Sequence, residues 1–146
     1  MDEPSERRRV PGDARTPLGG GAAAVRAAAD VQARILGASD EERDAAVDAV
    51  SRVLAHDLLQ IATAAHARGD ARREAPLTLR TADGSVLEGV VDLAFQDAGQ
   101  WHVIDFKTDR ELTQAGESRY TRQVAVYCAA ISQATGVAAV GHLVRL

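Results

Sequence analysis

Hydrophobic side chains recur at helical spacing in the first half of the chain. From Ala22 to Leu36 an alanine-rich stretch predicts a first helix, and Gly37 follows as a cap for its C-terminal end. The side chains that fall near one stripe of this helix are Val25, Ala28, Ala29, Gln32, Ile35 and Leu36.

A second helix is predicted after Ser39. Ser39 and Glu42 have the spacing of a capping box, in which each residue satisfies a backbone N–H near the other. Because Asp57 could cap a separate helix, the pattern allows a break near His56 and Asp57. Gly69 follows the end of the pattern, whose apolar positions are Val47, Val50, Leu54, Leu58 and Ile61.

After Gly69 the pattern changes to the alternation that is typical of strands. The predicted elements are a strand over Pro76–Arg80, a turn at Asp83-Gly84, strands over Val86–Phe95 and Trp101–Thr108, a helix from about Ser118 to Thr135 that Gly136 ends, and a strand over Ala139–Leu146. This order predicts an α/β fold with a mixed central sheet of about four strands flanked by helices.

The chain before the first helix has a different composition. Residues 1–21 contain Pro4, Pro11 and Pro17 and end in three consecutive glycines. We expect this segment to be a disordered or loosely attached leader, and the folded domain to span residues 22–146.

Composition excludes several classes of protein. A chain of 146 residues with a net charge of -4 suits one domain without the basic field of a non-specific nucleic-acid coat protein. Cys128 is the only cysteine, so a disulfide or an iron–sulfur cluster within the chain is excluded and a reducing cytoplasm fits best. No apolar stretch is long enough for a signal peptide or a membrane span, so no membrane partner is expected.

Lysine is almost absent, since Lys107 is the only one among 17 basic residues. A phosphate-binding P-loop needs a lysine after a glycine-rich run, and no such run precedes Lys107. A P-loop ATPase is therefore excluded, and we expect no nucleotide cofactor.

Two predicted strands place charged side chains opposite one another. A four-residue connection at 97–100 sets the hairpin register so that Asp92 faces Asp105. Lys107 shares the face of Asp105, because side chains alternate along a strand. Val90 and Ala94 are predicted on this face too, and the other face is an apolar wall of Val91, Leu93, Phe95, Ile104 and Phe106.

Opposed carboxylates next to an ammonium group suit phosphodiester hydrolysis. Two like charges across a ladder destabilise a sheet unless a proton or a cation compensates them. Hard oxygen ligands at this separation suit Mg²⁺ or Mn²⁺, and the lysine can orient the nucleophile and neutralise the transition state. The residues alone leave an alternative open, in which Asp92, Asp105 and Lys107 form a solvated salt-bridge cluster.

Three segments around these residues carry a family resemblance. They are EGVVDL at 88–93, VIDFKTD at 103–109 and, shortly after Tyr120, QVAVY at 123–127. Together they resemble the PD-(D/E)XK nuclease domain of the RecB and AddA type, usually found at the C-terminus of UvrD-like DNA helicases. The resemblance covers roughly residues 22–146 and implies a restriction-endonuclease-like core.

The resemblance implies a role for each matching residue. Gln123 and Tyr127 match a motif that lies along the active-site cleft and would bind substrate, and their spacing puts them on one helix face. Alternatively, Tyr127 packs on the sheet and Gln123 caps a backbone group.

The resemblance also implies metal ligands and catalytic residues. The implied metal ligands are Asp92, Asp105 and Glu74, and the implied catalytic residues are Asp92, Asp105 and Lys107. The alternative for Glu74 is an exposed acid at the end of a strand.

One departure from the family pattern concerns histidine. Relatives carry a histidine on an early helix as a further metal ligand, whereas this chain has none before His56. His56 and His66 could substitute, although a lone helix histidine is more often a surface or packing residue. We expect neither His102 nor His142 to be a ligand.

The leading hypothesis is a Mg²⁺- or Mn²⁺-dependent DNA nuclease domain that works with a UvrD-like helicase, in the same chain or as a partner, in DNA repair or recombination. The alternative is an inactive nuclease remnant that binds DNA or docks a protein.

Overall fold

The fold is a mixed sheet with helices on both faces. The computed structural model describes residues 20–146, so nearly all of the expected leader lies outside the described residues. The elements are α1 (Gly21–Leu36), α2 (Asp40–Leu54), α3 (Asp57–Ala67), β1 (Ala71–Arg80), β2 (Val86–Asp97), β3 (Gln100–Lys107), α4 (Asp109–Ala115), α5 (Glu117–Thr135) and β4 (Ala139–Arg145).

The sheet has the strand order β1-β2-β3-β4. β1, β2 and β3 pair in antiparallel fashion, and β4 pairs with β3 in parallel after the α4–α5 crossover. The predicted α/β class with a four-stranded mixed sheet is confirmed, and the arrangement is consistent with a restriction-endonuclease-like core.

Local signals account for most helix ends. Ser39 and Glu42 form the predicted capping box, and Gly37 ends α1 in the left-handed conformation. The break between α2 and α3 is confirmed, but the cap is His56, whose Nδ1 accepts a hydrogen bond from Leu58 N at 3.2 Å. Asp57 is instead the first residue of α3.

The apolar stripe of α1 is covered only near its N-terminal end. Val25 is 5% exposed, whereas Ile35 and Leu36 are 69% and 76% exposed. Helical spacing predicts which residues share a side of a helix, but it does not predict how far along that side a neighbour packs.

Two apolar clusters form the core, one with α3 and one with α5. Leu59, Ala62 and Ala65 of α3 pack on Leu93, Phe95 and Ile104. Tyr127 and Ile131 of α5 pack on Val91, Ala94 and Val103. We refer to the two sides of the sheet as the α3 face and the α5 face.

The prediction that Val91 joins Leu93 on one apolar wall is wrong. Val91 packs in the cluster with Tyr127, while Leu93 packs against α3. The change of side lies between the pairs Arg73↔Leu93 and Ala75↔Val91, and Glu74, with a φ of 46°, is the β1 residue between these pairs. Val91 and Leu93 are two residues apart but lie on different sides of the sheet, so simple alternation does not hold across this position.

β1 also begins five residues earlier than the predicted start at Pro76. The alternation of half-buried and exposed positions starts at Ala71. Proline is tolerated within the strand because β1 is an edge strand.

The β2–β3 hairpin has a shorter connection than predicted. Asp97 pairs with Gln100, so only Ala98 and Gly99 form the turn, with φ values of 48° and 76°. Two successive positive φ values are the pattern of a type I′ hairpin turn. The register is the predicted one, because a two-residue turn inside the same symmetric hairpin leaves the pairing unchanged, as Leu93↔Ile104 demonstrates.

Candidate active site

The candidate site lies where β2 and β3 stop pairing. The ladder runs from the hairpin turn to Leu93↔Ile104, and the next opposed residues along the strands are Asp92 and Asp105. Beyond the last backbone pair, a side chain links the two strands: Asp92 Oδ2 accepts a hydrogen bond from the backbone N–H of Phe106 at 2.9 Å. This bond holds the Asp92 carboxylate against β3, beside Asp105.

Asp105 is a buried carboxylate with an incomplete set of partners. The residue is 2% exposed, and Lys107 Nζ, the one donor to its side chain within residues 20–146, lies 3.3 Å from Oδ1 and 3.1 Å from Oδ2. The contact with Oδ2 is an ion pair without hydrogen-bond geometry, so this buried oxygen accepts no hydrogen bond within residues 20–146. A buried oxygen that lacks a donor is costly, and a cation or a water would complete it.

Asp92 is close enough to Asp105 to affect the protonation of Asp105. Burial raises the pKa of Asp105, Lys107 opposes this by its hydrogen bond and charge, and Asp92 adds to the rise, so that the pKa lies above its ordinary value. Ionised Asp105 is therefore less favourable in the fold than in water, and a further cation would offset that cost.

Lys107 is held as a cation. Burial lowers its pKa, but the hydrogen bond and charge of Asp105, together with Asp92 and Glu111, outweigh burial and raise the pKa above its ordinary value. The side chain is only 15% exposed. Lys107 can therefore supply positive charge and donate hydrogen bonds at neutral pH, but it is not suited to accept a proton as a general base.

A helix that the sequence analysis missed begins directly after Lys107. Thr108 caps α4, and Thr108 and Glu111 form a capping box in which the Glu111 carboxylate accepts a hydrogen bond from Thr108 N at 2.7 Å. The signal was present in the sequence as a threonine followed three residues later by a glutamate. This helix ends β3 at the residue that completes the site.

A cavity of about 400 Å³ adjoins the site on the side of α2 and α3. Arg73, Glu74 and Asp92 line it among apolar side chains that include Val50, Val53, Leu54 and Leu59. Asp105 and Lys107 are not part of this lining, so Asp92 connects the cavity to the buried ion pair. The structure thus brings Asp92, Asp105 and Lys107 together and puts Glu74 on the cavity that Asp92 faces.

Two carboxylates with water would have to hold a metal ion here. Within residues 20–146, no group of three or more histidine, cysteine or acidic side chains is arranged to bind a metal. Mg²⁺ commonly takes one or two protein carboxylates and keeps several waters, so Asp92 and the unsatisfied Oδ2 of Asp105 fit such an ion. The role of Glu74 as a third ligand stays a prediction.

The histidines that might replace the family ligand have other surroundings. His56 caps α3, and His66 is an exposed residue of the same helix. His102 and His142 form a hydrogen bond of 3.1 Å between their rings, and the His102 ring lies parallel to that of Phe95. These contacts give His102 and His142 a packing role, and the expectation that neither is a metal ligand stays a prediction.

Gln123 and Tyr127 form one packing unit with Gly89. Gln123 Nε2 donates a hydrogen bond to the Tyr127 hydroxyl at 2.9 Å, and Tyr127 is 7% exposed. A Cβ atom at Gly89 would lie 2.6 Å from Tyr127 Cε1, so only glycine fits beneath this ring. The glycine and the tyrosine of the two motifs are thus opposite sides of one contact, while the substrate-binding role of both motif residues stays a prediction.

A mixed sheet flanked by helices, with two acids and a lysine grouped where two strands stop pairing, is typical of a nuclease-type fold. The family model of the PD-(D/E)XK nuclease superfamily matches residues 8–145. The chain belongs to the PD-(D/E)XK nuclease superfamily. No curated protein matches the chain with significant similarity. Across residues 20–146, no helix is both long enough and apolar enough to cross a membrane.

Proposed function

We propose that this protein is a metal-dependent nuclease that hydrolyses phosphodiester bonds in DNA. The observation that carries the proposal is the buried Oδ2 of Asp105, which accepts no hydrogen bond from residues 20–146 although Asp92 and a protonated Lys107 lie beside it. A charged cluster that served only as a surface salt bridge would be exposed to water. A buried carboxylate oxygen without a donor among residues 20–146 instead suits a site that takes up a cation.

In the proposed site, Asp92 and Asp105 hold Mg²⁺ or Mn²⁺. The bound ion would lower the pKa of a coordinated water and offset charge on the phosphoryl oxygens. The hydrogen bond from Phe106 N fixes the Asp92 carboxylate, and the partial desolvation of the site strengthens the electrostatic interactions of Lys107 with nearby negative charge. Lys107 then orients the attacking water and stabilises the negative charge that develops on phosphate.

DNA is the substrate class that the family membership supports. Arg110, Arg119 and Arg122 are exposed on α4 and α5, the helices that follow Lys107 in the chain. Exposed arginines can contact phosphates locally without making the whole chain basic, which agrees with its net charge of -4.

The finer assignment is a nuclease of the RecB and AddA type. Its support is the combined spacing of Gly89, Asp92, Asp105, Lys107, Gln123 and Tyr127 in the sequence. In this proposal a UvrD-like helicase motor, in the same chain or as a partner, feeds DNA to the site during repair or recombination in the cytoplasm.

A second candidate is a nuclease remnant that binds DNA or docks a protein without cleaving. The observation that favours it is the lack of a three-ligand metal cluster within residues 20–146, together with the missing early histidine. This candidate predicts DNA binding that does not depend on a divalent metal.

A cleavage assay separates the two candidates. The wild-type chain, Lys107→Ala and the exposed control Asp48→Asn on α2 are incubated with single-stranded and duplex DNA, with Mg²⁺, with Mn²⁺ or with EDTA. We expect wild type and Asp48→Asn to cleave DNA with a divalent metal, and Lys107→Ala to be at least about 100-fold slower. Equal and undiminished DNA in all reactions would reject the nuclease proposal.

A further inference from the structure

The ring of Tyr120 lies next to the candidate active site. Its centroid is 4.7 Å from Lys107 Nζ, which is within the range of a cation–π interaction. Tyr120 is half-buried and Lys107 is largely buried, so water competes only weakly with this contact. Tyr120 precedes the QVAVY segment, and the family resemblance implies no role for it.

The crossover after β3 brings Tyr120 to this position. β3 ends at Lys107, α4 follows, and Gly116 adopts a φ of 78° before α5 begins. Glycine adopts this conformation without strain, whereas other residues do so at a cost. The turn between α4 and α5 therefore returns the chain so that Tyr120, in the first turns of α5, covers the ammonium group.

We propose that Tyr120 is a positioning residue, which holds the Lys107 ammonium against Asp105 through the face of its aromatic ring. The inference rests on the proposed nuclease function and deepens it, because it names what keeps the catalytic lysine in place. It concerns the ring and not the hydroxyl group.

Lysine needs such support because its side chain is flexible. The side chain has four rotatable bonds, and fixing it costs conformational entropy. The hydrogen bond from Lys107 Nζ to Asp105 Oδ1 is long for a charge-assisted bond, at 3.3 Å, and the ion-pair contact with Oδ2 is 3.1 Å. An aromatic face on another side of Nζ limits the movement that this ion pair alone would allow.

The hydroxyl group of Tyr120 is not needed for this role. The contact with Lys107 Nζ is made by the ring face of Tyr120. Phenylalanine presents a similar ring face and should therefore replace Tyr120, whereas leucine fills space without the π-electron density that attracts a cation.

The single lysine allows a direct test by NMR. Isotope-labelled lysine gives one set of side-chain signals in the whole chain, those of Lys107. We expect the methylene protons next to Nζ to be shifted upfield by the ring current of Tyr120 and to show contacts with its ring protons. Tyr120→Phe should keep the upfield shift, and Tyr120→Leu should lose it.

Kinetics of DNA cleavage supply the second measurement. We expect Tyr120→Leu to lower kcat about tenfold while KM changes less, because the interaction acts on the lysine and not on the substrate. Tyr120→Phe should retain most of the wild-type kcat. Circular dichroism verifies that each variant folds, and the wild-type and Tyr120→Phe spectra decide the contact even if the leucine variant does not fold.

Three results would overturn the inference in different ways. An unshifted Lys107 signal in the wild-type chain, or one that Tyr120→Leu leaves unchanged, would reject the contact. Loss of the shift and of kcat in Tyr120→Phe would reject the role of the ring in favour of the hydroxyl group. If the shift follows the ring but the wild-type chain cleaves no DNA, the proposed function fails and the catalytic consequence of the contact fails with it.

Discussion

Two neighbouring residues of β3 are both buried, but one side chain is apolar and the other carries a carboxylate. Ile104 is fully buried on the α3 face, where it packs with Leu59 and Phe95. Asp105, the next residue, is 2% exposed but carries a carboxylate, paired with Lys107. Burial of Ile104 removes an apolar side chain from water and stabilises the fold, whereas burial of Asp105 removes a carboxylate from water.

The two residues differ in the free energy of their burial. Burial of an apolar side chain is favourable, whereas burial of a charge has to be offset by partners. The raised pKa of Asp105 means that burial is not fully offset by Lys107. An apolar residue at this position would carry no such cost, so stability does not explain Asp105, whereas the proposed metal-binding role does.

The largest expected effect comes from changing Asp105. Asp105→Asn should lower DNA cleavage by about 100- to 1,000-fold, because it removes a charged ligand of the proposed metal. Its free energy of unfolding at pH 7 should stay equal or rise. The raised pKa means that the folded state binds the proton more tightly than the unfolded state, so the cost of ionisation is fully present above that pKa and a neutral amide removes it.

Ile104→Val provides the matched change on the α3 face. Loss of one methylene should lower the free energy of unfolding by about 0.5–1.5 kcal/mol, while cleavage per folded molecule stays near that of the wild type. Urea titrations and cleavage rates of the two variants measure both quantities. A destabilised but active Asp105→Asn would reverse the assignment of the two faces.

The next prediction concerns the contact between β2 and α5. Gly89→Ala places a Cβ atom 2.6 Å from Tyr127 Cε1, so the ring has to move. We expect a loss of about 1–3 kcal/mol in the free energy of unfolding, which thermal or urea denaturation measures. Gly89 has no positive φ, so the expected loss comes from the contact with the ring and not from backbone strain. A loss below about 0.5 kcal/mol would argue against the packing explanation.

The smallest effect should come from the histidine pair. Burial and then the charge of His102 lower the pKa of His142, so the folded state binds a proton less readily than the unfolded state. The associated stability is complete above the ordinary value of 6.5 and is lost as the pH falls below it. Wild type should therefore lose more stability than His142→Gln between pH 7.5 and pH 5.5 in urea titrations, and parallel pH profiles would contradict this.

The sequence predicted the grouping of Asp92, Asp105 and Lys107 because a hairpin is a local structure. Once the turn is located, alternation and register place residues on either strand without any knowledge of tertiary packing. The predicted length of the turn was wrong, but the predicted register was right, because Ala98 and Gly99 lie at the centre of the same symmetric hairpin.

Features that depend on distant contacts could not be predicted in this way. The left-handed φ of Glu74 has no local signal, and neither has the placement of Val91 on the α5 face, on the strand that pairs with Glu74's strand. The contact of Tyr120 with Lys107 and the pairing of His102 with His142 depend on how the crossover folds back. In contrast, α4 could have been found from the spacing of Thr108 and Glu111.

Binding of Mn²⁺ to the protein tests the central claim most directly. Isothermal titration calorimetry should detect binding to the wild-type chain and to the control Asp48→Asn, and no binding to Asp92→Asn or Asp105→Asn. Lys107→Ala should bind Mn²⁺ at least as tightly as wild type, because removal of the ammonium leaves the two carboxylates with less positive charge nearby. Binding that is absent from the wild-type chain, or that both asparagine variants retain, would contradict the account.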